Sequence, residues 1–311
     1  MELIRGIHNI LPSHHGCVLT IGNFDGVHRG HAEVIGKLVK KAEQFQVSSC
    51  VMTFEPQPQE LFRGENAPAR LSLLRDKISL LDELGVERLL CVSFNQKFAN
   101  MPAQAFIEQL LVKKLGVRYL VVGDDFCFGH GRQGDFDMLK RAGEQFGFAV
   151  VSTQSFLLGD KRVSSTEVRQ LLAKGNLEQA RRLLGHPMTL SGRVAHGQKI
   201  GRTIGFPTAN IALKRKVTPV RGVFAVKLYW QGSDIYEGVA NVGFRPTVNG
   251  QTCQLEVHLF DFDGDLYGKT VEVELVAKIR DEQPFKSLDA LKRQIKNDAD
   301  RAKALLGFDA G

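Results

Sequence analysis

The 311-residue sequence has one tryptophan, four tyrosines and five cysteines. It has no apolar run near the roughly 18 residues that a membrane-crossing helix needs. Its opening, Met1-Glu2-Leu3-Ile4-Arg5-Gly6, has no basic stretch leading into an apolar one, so no secretory leader is expected. The cysteines at 17, 50, 91, 127 and 253 are odd in number and form no CxxC pair. That spacing argues against a disulfide framework or a Cys-based zinc site, and fits a reducing, cytoplasmic setting. Internal repeats, low-complexity segments and a GxxxxGK[ST] phosphate loop are missing too.

What is present is ordinary globular composition, 43% hydrophobic and 24% charged. The net charge is +7, from 41 Lys+Arg against 34 Asp+Glu. Residues 1–186 hold 23 of those bases and 20 of the acids, leaving 18 and 14 for residues 187–311. An excess shared this evenly, without a basic tail, fits anionic small molecules better than a nucleic acid.

The first half alternates β-type runs at 17–21, 47–54, 88–92, 117–122 and 148–153 with helical patterns at 71–84, 103–115 and 136–146. Between the first two runs, Ile35, Leu38, Val39 and Ala42 form the stripe of an amphipathic helix. About 30 residues from strand to strand is the length of a βαβ unit, so a parallel sheet wrapped by helices is expected. Two short helices are expected within 164–185. Beyond His186-Pro187 glycine rises and short alternating runs appear at 190–195, 223–230, 236–242, 254–260 and 271–279. These predict a small antiparallel barrel or sandwich closed by a helix over 288–306. Two domains are therefore expected, 1–186 and 187–311.

Ligands of open parallel sheets bind beyond the carboxyl ends of the strands. There, directly after the first run, stands Gly22-Asn23-Phe24-Asp25-Gly26-Val27-His28-Arg29-Gly30-His31. Its glycines permit close backbone approach, and the following helix offers free N–H groups to an anion. His28 and His31, three apart, can point at one phosphate; the local alternative is that they cap and pack the helix start. No third zinc ligand accompanies them. Gly129-His130-Gly131-Arg132-Gln133-Gly134 matches GxGxxG, but residues 124–128 separate it from its strand and no ribose-binding acid follows about 20 residues on. A Rossmann NAD site is rejected. Ser164-x-x-Glu167 before Val168 reads as a capping box, yet the same hydroxyls with Arg169 one turn in can hold an anion. In the second half, Gly205-Phe206-Pro207-Thr208-Ala209-Asn210 offers hard oxygen donors of the kind Mg²⁺ accepts. Glu256 lies on the polar face of a period-two run.

The decapeptide resembles the HxGH signature of the nucleotidyltransferase superfamily, in the form found in bacterial FAD synthetases. Residues 122–129 resemble that family's second motif, and Ser164-Ser165-Thr166-Glu167-Val168-Arg169 its Ser-Ser-Thr-x-x-Arg motif. Residues 190–300 resemble riboflavin kinase, through Pro207-Thr208-Ala209-Asn210, residues 222–224 and 238–247, and Glu256 with 258–261. The resemblance implies an α/β HxGH-type domain followed by a β-barrel kinase domain. It implies ATP held by Gly22, Asn23, Phe24, Ser164, Ser165 and Arg169, flavin near Asp125 and Phe128, and His28 and His31 stabilising charge at the reacting phosphate. In the kinase half it implies ATP at Gly205, Thr208 and Asn210, Mg²⁺ at Thr208 and Asn210, and Glu256 as general base. Many relatives carry a neutral residue at 125 and Thr at 244, where this chain has Asp125 and Phe244. The chemistry agrees with the division. FMN's phosphate, with a second pKa of about 6, is already an ionised nucleophile. Riboflavin's hydroxyl is not, and needs a base. Expected substrates are riboflavin, FMN and ATP, with FAD as product and neither nucleic acid nor membrane as partner.

Overall fold

The computed structural model describes residues 1–123, 125–153, 157–158, 161–195, 206–213, 217–230, 234–247 and 250–308. For 157–158, 161–162, 245–247 and 250–252 it describes the backbone alone. The chain divides into two compact units, Met1–Pro68 with Ser72–Ser164, and Ala69–Leu71 with Ser165–Gly311.

In the first unit β1 (Glu2–Arg5), β2 (Cys17–Ile21), β3 (Ser48–Glu55), β4 (Arg88–Ser93), β5 (Val117–Gly123) and β6 (Ala149–Thr153) form one sheet in the order β1-β4-β3-β2-β5-β6. Every pairing in it is parallel. A sheet covered on both faces needs continuous apolar strands, and all five residues of β2 are buried. The helices are α1 (Arg29–Phe45), α2 (Pro58–Arg63), α3 (Leu74–Glu83), α4 (Gln96–Ala99), α5 (Ala103–Ala105) and α6 (Phe136–Phe146). Two cores flank the sheet. One gathers Leu19, Met52, Leu90, Ile107 and Leu120, and the other Val18, Ile35, Leu38, Val51 and Leu89. Alternate residues of one strand thus serve opposite faces. β2 leads to β3 on one side while β5 and β6 lie on the other, so the strand order reverses beside β2. That is where open sheets bind ligands.

The helix expected over 103–115 is one α-turn, α5, continuing as a π-helix over Phe106–Lys114. Its wider winding buries the pairs Phe106-Ile107 and Leu110-Leu111. β1 is an addition to the expected strands. Glu2 and Arg5 leave it only two apolar residues, too few for a periodic signal. A two-stranded ribbon, β7 (Leu157–Leu158) with β8 (Lys161–Arg162), completes this unit.

The second unit begins with α7 (Ser165–Ala173) and α8 (Leu177–Leu184), the latter packed on β14 (Thr270–Arg280). Six strands close an antiparallel barrel: β9 (Thr189–Ala195), β10 (Ala209–Ala212), β11 (Gly222–Trp230), β12 (Asp234–Thr247), β13 (Gly250–Leu259) and β14. Around the barrel they run β10-β13-β12-β11-β14-β9. β14 alternates buried Val271, Val273 and Leu275 with exposed or half-buried Glu272 and Glu274, the pattern of a strand with one wet face. Helix α9 (Leu288–Leu306) is capped by the Ser287 hydroxyl and lies against β11, β12 and β14. Ala299 and Ala302 let it approach Val223, Ala225 and Ile279 closely. Among the described residues no helix is long and apolar enough to cross a membrane.

Candidate functional site

β2 delivers the chain to a turn that two side chains lock. Asp25 Oδ1 accepts from the Ser72 backbone N–H at 3.1 Å and lies 3.5 Å from the Ser72 hydroxyl, whose oxygen accepts from the Gly26 N–H at 2.9 Å. Asp25 and Ser72 are both buried, so this small network is shielded from competing water. Phe24 and Val27 hold φ at 45° and 37°, a region that side chains avoid unless their surroundings enforce it. The turn ends at His28, the N-cap of α1, whose Nδ1 accepts from the His31 N–H at 3.3 Å. That bond leaves the proton of neutral His28 on Nε2. The two rings stack 3.7 Å apart at 14°, and the Phe24 ring meets His31 edge-on at 5.1 Å. Capping and packing are therefore real duties of the pair, and they leave work undone. Among the described residues, the buried atoms His31 Nδ1 and Asn23 Oδ1 have no hydrogen-bond partner. Burial, then the neighbouring His28, then Lys77 push the His31 imidazole well below its ordinary pKa, so it is neutral near pH 7.

Asn23 and His31 both open on a cavity of about 890 Å³ at the carboxyl edge of the sheet. Gly22 and Phe24 line it as well, as do Gly123 at the end of β5 and Thr153 at the end of β6. The opposite lining is aromatic. Phe54, Phe94, Phe98, Phe106 and Phe128 follow one another with ring centroids 5.2–6.3 Å apart. Phe126 stacks on Phe128 at 5.7 Å. Asp125 is exposed at the cavity wall. Of this aromatic wall only Phe128 is expected from the sequence. The others come from the end of β3, from loops and from short helical segments, and the only hint is 20 phenylalanines against four tyrosines. Gly129, at φ 75° and ψ 174°, turns the loop there; a Cβ would lie 2.7 Å from the Ala103 backbone.

Ser164 closes the first unit, while Ser165 and Arg169 belong to the second. Arg169 sits on α7, and its Nε donates to the Ala69 carbonyl at 2.6 Å. This gives the run 69–72 a use that its sequence does not announce, with Ala69 held by α7 and Ser72 holding the Asp25 turn.

In the barrel, the register sets Asn210 of β10 directly beside Glu256 of β13, with Asn241 of β12 on the other side of Glu256. Residues two positions to either side of Glu256 on β13 grip the segment before and within β10. Gln254 Nε2 donates to Asn210 Oδ1 at 2.6 Å, and His258 Nδ1 donates to the Pro207 carbonyl at 2.8 Å. Glu256 lies between them, half-buried. Asn210 is buried, and its Nδ2 donates to the Thr208 carbonyl at 3.4 Å. Asn241 Nδ2 donates to Glu282 at 3.3 Å, and Asn241 Oδ1 is buried without a partner among the described residues. Thr208 also lines a small cavity of about 220 Å³ with Val194, Leu259 and Phe262, which neither Asn210 nor Glu256 reaches. Gly205 lies outside the described residues. Among the described residues no cluster of three or more His, Cys, Asp or Glu forms a metal site. The clamp residues Gln254 and His258 were legible only as polar positions of an alternating strand.

Residues 10–167 match the family model described as FAD synthetase, and residues 184–306 the one described as riboflavin kinase. The chain is 54% identical over 309 residues to the bifunctional riboflavin kinase/FMN adenylyltransferase of Escherichia coli K12, covering 99% of each chain. It is 52% identical to the protein of that name from Haemophilus influenzae, covering 98% of this chain and 99% of that one. A crystal structure from Streptococcus pneumoniae, described as a macrolide-efflux protein, superposes with a TM-score of 0.80 at 32% identity, covering 96% of this chain and 97% of that one.

Proposed function

We propose a division of labour for this chain, which belongs to the bifunctional riboflavin kinase/FMN adenylyltransferase family. The barrel unit phosphorylates riboflavin with ATP to give FMN. The parallel-sheet unit joins FMN to the adenylyl group of ATP, giving FAD and pyrophosphate. The functional boundary is placed near residue 186, close to where the riboflavin kinase match begins at residue 184.

The observation that carries the adenylyltransferase reading is the cavity that combines two unpartnered buried polar atoms with a wall of phenylalanines. A flat isoalloxazine ring suits the phenylalanines, including Phe128, with Asp125 at the rim. Phosphates suit Asn23, the histidines and the free N–H groups at the start of α1. FMN's phosphate needs no base, so His28 and His31 orient and hydrogen-bond the α-phosphate as charge moves to the departing pyrophosphate. Gly22 and Phe24 shape the turn around ATP, and Ser164, Ser165 and Arg169 hold its remaining phosphates.

For the kinase, Glu256 takes the proton of the riboflavin hydroxyl as its oxygen bonds to the γ-phosphorus and ADP departs. Thr208 and Asn210, with Gly205 before them, hold ATP. Their neutral oxygens fit Mg²⁺, which keeps waters and rides on phosphates, and Asn210 Oδ1 is already oriented by Gln254. Bound there, Mg²⁺ neutralises charge on the transferring phosphates. None of the five cysteines forms a disulfide, in keeping with work in a reducing, cytoplasmic compartment.

The test separates the two reactions in one full-length protein. Glu256→Gln is expected to lower FMN formation by roughly 10²–10⁴-fold while added FMN is still converted to FAD. His31→Gln is expected to do the reverse. Comparable loss of both activities in either variant refutes the two-site reading.

A further inference from the structure

Lys77 is 1% exposed and is among the largest fully buried side chains of the described residues. It lies on α3, away from every motif of the sequence, and does not line the cavity. A methionine would fill the same space without carrying a charge out of water, so the ammonium has to be explained by what it does. Its Nζ donates to the Thr53 hydroxyl at 3.2 Å. An ammonium can only donate, so that bond occupies a lone pair of Thr53 and leaves the hydroxyl proton for another acceptor. The acceptor is the Asn23 carbonyl, 3.3 Å from Thr53 Oγ1. Thr53 is itself fully buried on β3. The relay ends on the residue whose Oδ1 waits unpartnered at the cavity.

We propose that Lys77 is a positioning residue for adenylyl transfer: through Thr53 it holds the Asn23 backbone, and so the turn carrying Asn23, His28 and His31, in the geometry that meets the phosphates. This rests on the cavity being the adenylyl-transfer site. The relay fixes the turn from below at Asn23, while the Asp25–Ser72 bonds fix it from the side. A second effect follows from charge. The groups acting on His31 are His28 from its own turn and Lys77 from α3, and both disfavour the imidazolium. Lys77 thereby helps keep His31 a neutral hydrogen-bonding group, and adds fixed positive potential behind a site that receives polyanions.

The experiment uses full-length Lys77→Met and Thr53→Val proteins. FMN-to-FAD conversion is read as kcat and KM, FMN formation from riboflavin as the in-chain control, and His31 by NMR titration. Loss of a group that orients a site residue lowers rates by about 10–100-fold. Lys77→Met is expected to lower kcat by that factor with KM for ATP changed less, to spare FMN formation, and to move the His31 titration up toward its ordinary range. Thr53→Val keeps the charge and breaks the relay, so kcat falls while the His31 titration stays where it was. Wild-type kcat in folded Lys77→Met overturns the proposal, as does a fall in kcat with His31 unmoved, the mark of a merely structural role. If Lys77→Met does not fold, Thr53→Val decides alone, and an unchanged kcat there is a refutation. His31→Gln separates the two levels. If it too leaves FAD formation intact, the site itself is misassigned; if it is impaired while Lys77→Met is normal, only the Lys77 inference fails.

Discussion

Replacing Arg280 by methionine should destabilise the barrel far more than neutralising its partner. Arg280 ends β14 and binds Asp298 of α9 with Nε 3.0 Å from both carboxylate oxygens and Nη2 2.7 Å from Oδ2. Gln294 adds a 2.9 Å bond to the same carboxylate. The side chains differ in burial, with Asp298 5% exposed and Arg280 20%. Arg280→Met therefore strands a buried anion with, among the described residues, Gln294 as its remaining side-chain donor, a loss of about 3–5 kcal/mol. Asp298→Asn leaves a guanidinium that still donates to the Asp281 carbonyl at 2.9 Å and reaches water. Its cost is about 1–2 kcal/mol. At about 2–4 °C per kcal/mol, Arg280→Met lowers the barrel's melting temperature by roughly 6–20 °C. The one tryptophan, Trp230, lies on β11, so its fluorescence reports on the barrel rather than the sheet. Combining Arg280→Met with Asp298→Leu should recover most of the loss, because the stranded charge is gone. Equal shifts for the two single variants, or a double variant no better than Arg280→Met, would refute the asymmetry.

Two further outcomes follow from the sheet unit. Gly129→Ala forces a side chain into a backbone region that only glycine enters readily and against the Ala103 backbone 2.7 Å away. It should raise KM for FMN more than KM for ATP and destabilise the unit by about 1–3 kcal/mol; unchanged FMN binding by titration would be the contrary result. The depressed pKa of His31, caused first by burial and then by His28 and Lys77, means that the unfolded chain takes up a proton near pH 6.5 that the folded chain refuses. That contribution to stability is whole above about pH 6.5 and is lost as pH falls toward the folded value. Calorimetry at stepped pH should show a shallower acid loss in His31→Gln than in the parent, and parallel curves would count against it.

How far the sequence can be read depends on how local each cause is. Buried parallel strands declare themselves as unbroken apolar runs, so Cys17–Ile21 coincides with its expected bounds. Phe136–Phe146 does too, bracketed by the Asp135 cap and Gly147 in the left-handed region. The His28–His31 turn is contiguous, so both its capping duty and its resemblance to a phosphate-binding signature are legible in the sequence. β10 escapes notice because its four residues are half motif and half strand, stabilised by pairing with β9 and β13 rather than by their own propensity. The aromatic wall, the Gln254 and His258 clamp and the Lys77–Thr53–Asn23 relay all join residues that are distant in the chain, and no spacing rule reaches across such gaps. Lys77 is the sharpest case. On a helix whose mean hydropathy is polar, a lysine reads as solvated, and only the tertiary packing turns it into a buried cation. Contiguous motifs are therefore legible in the sequence, whereas the residues that brace them become visible only as hydrogen-bond paths leading into the cavity.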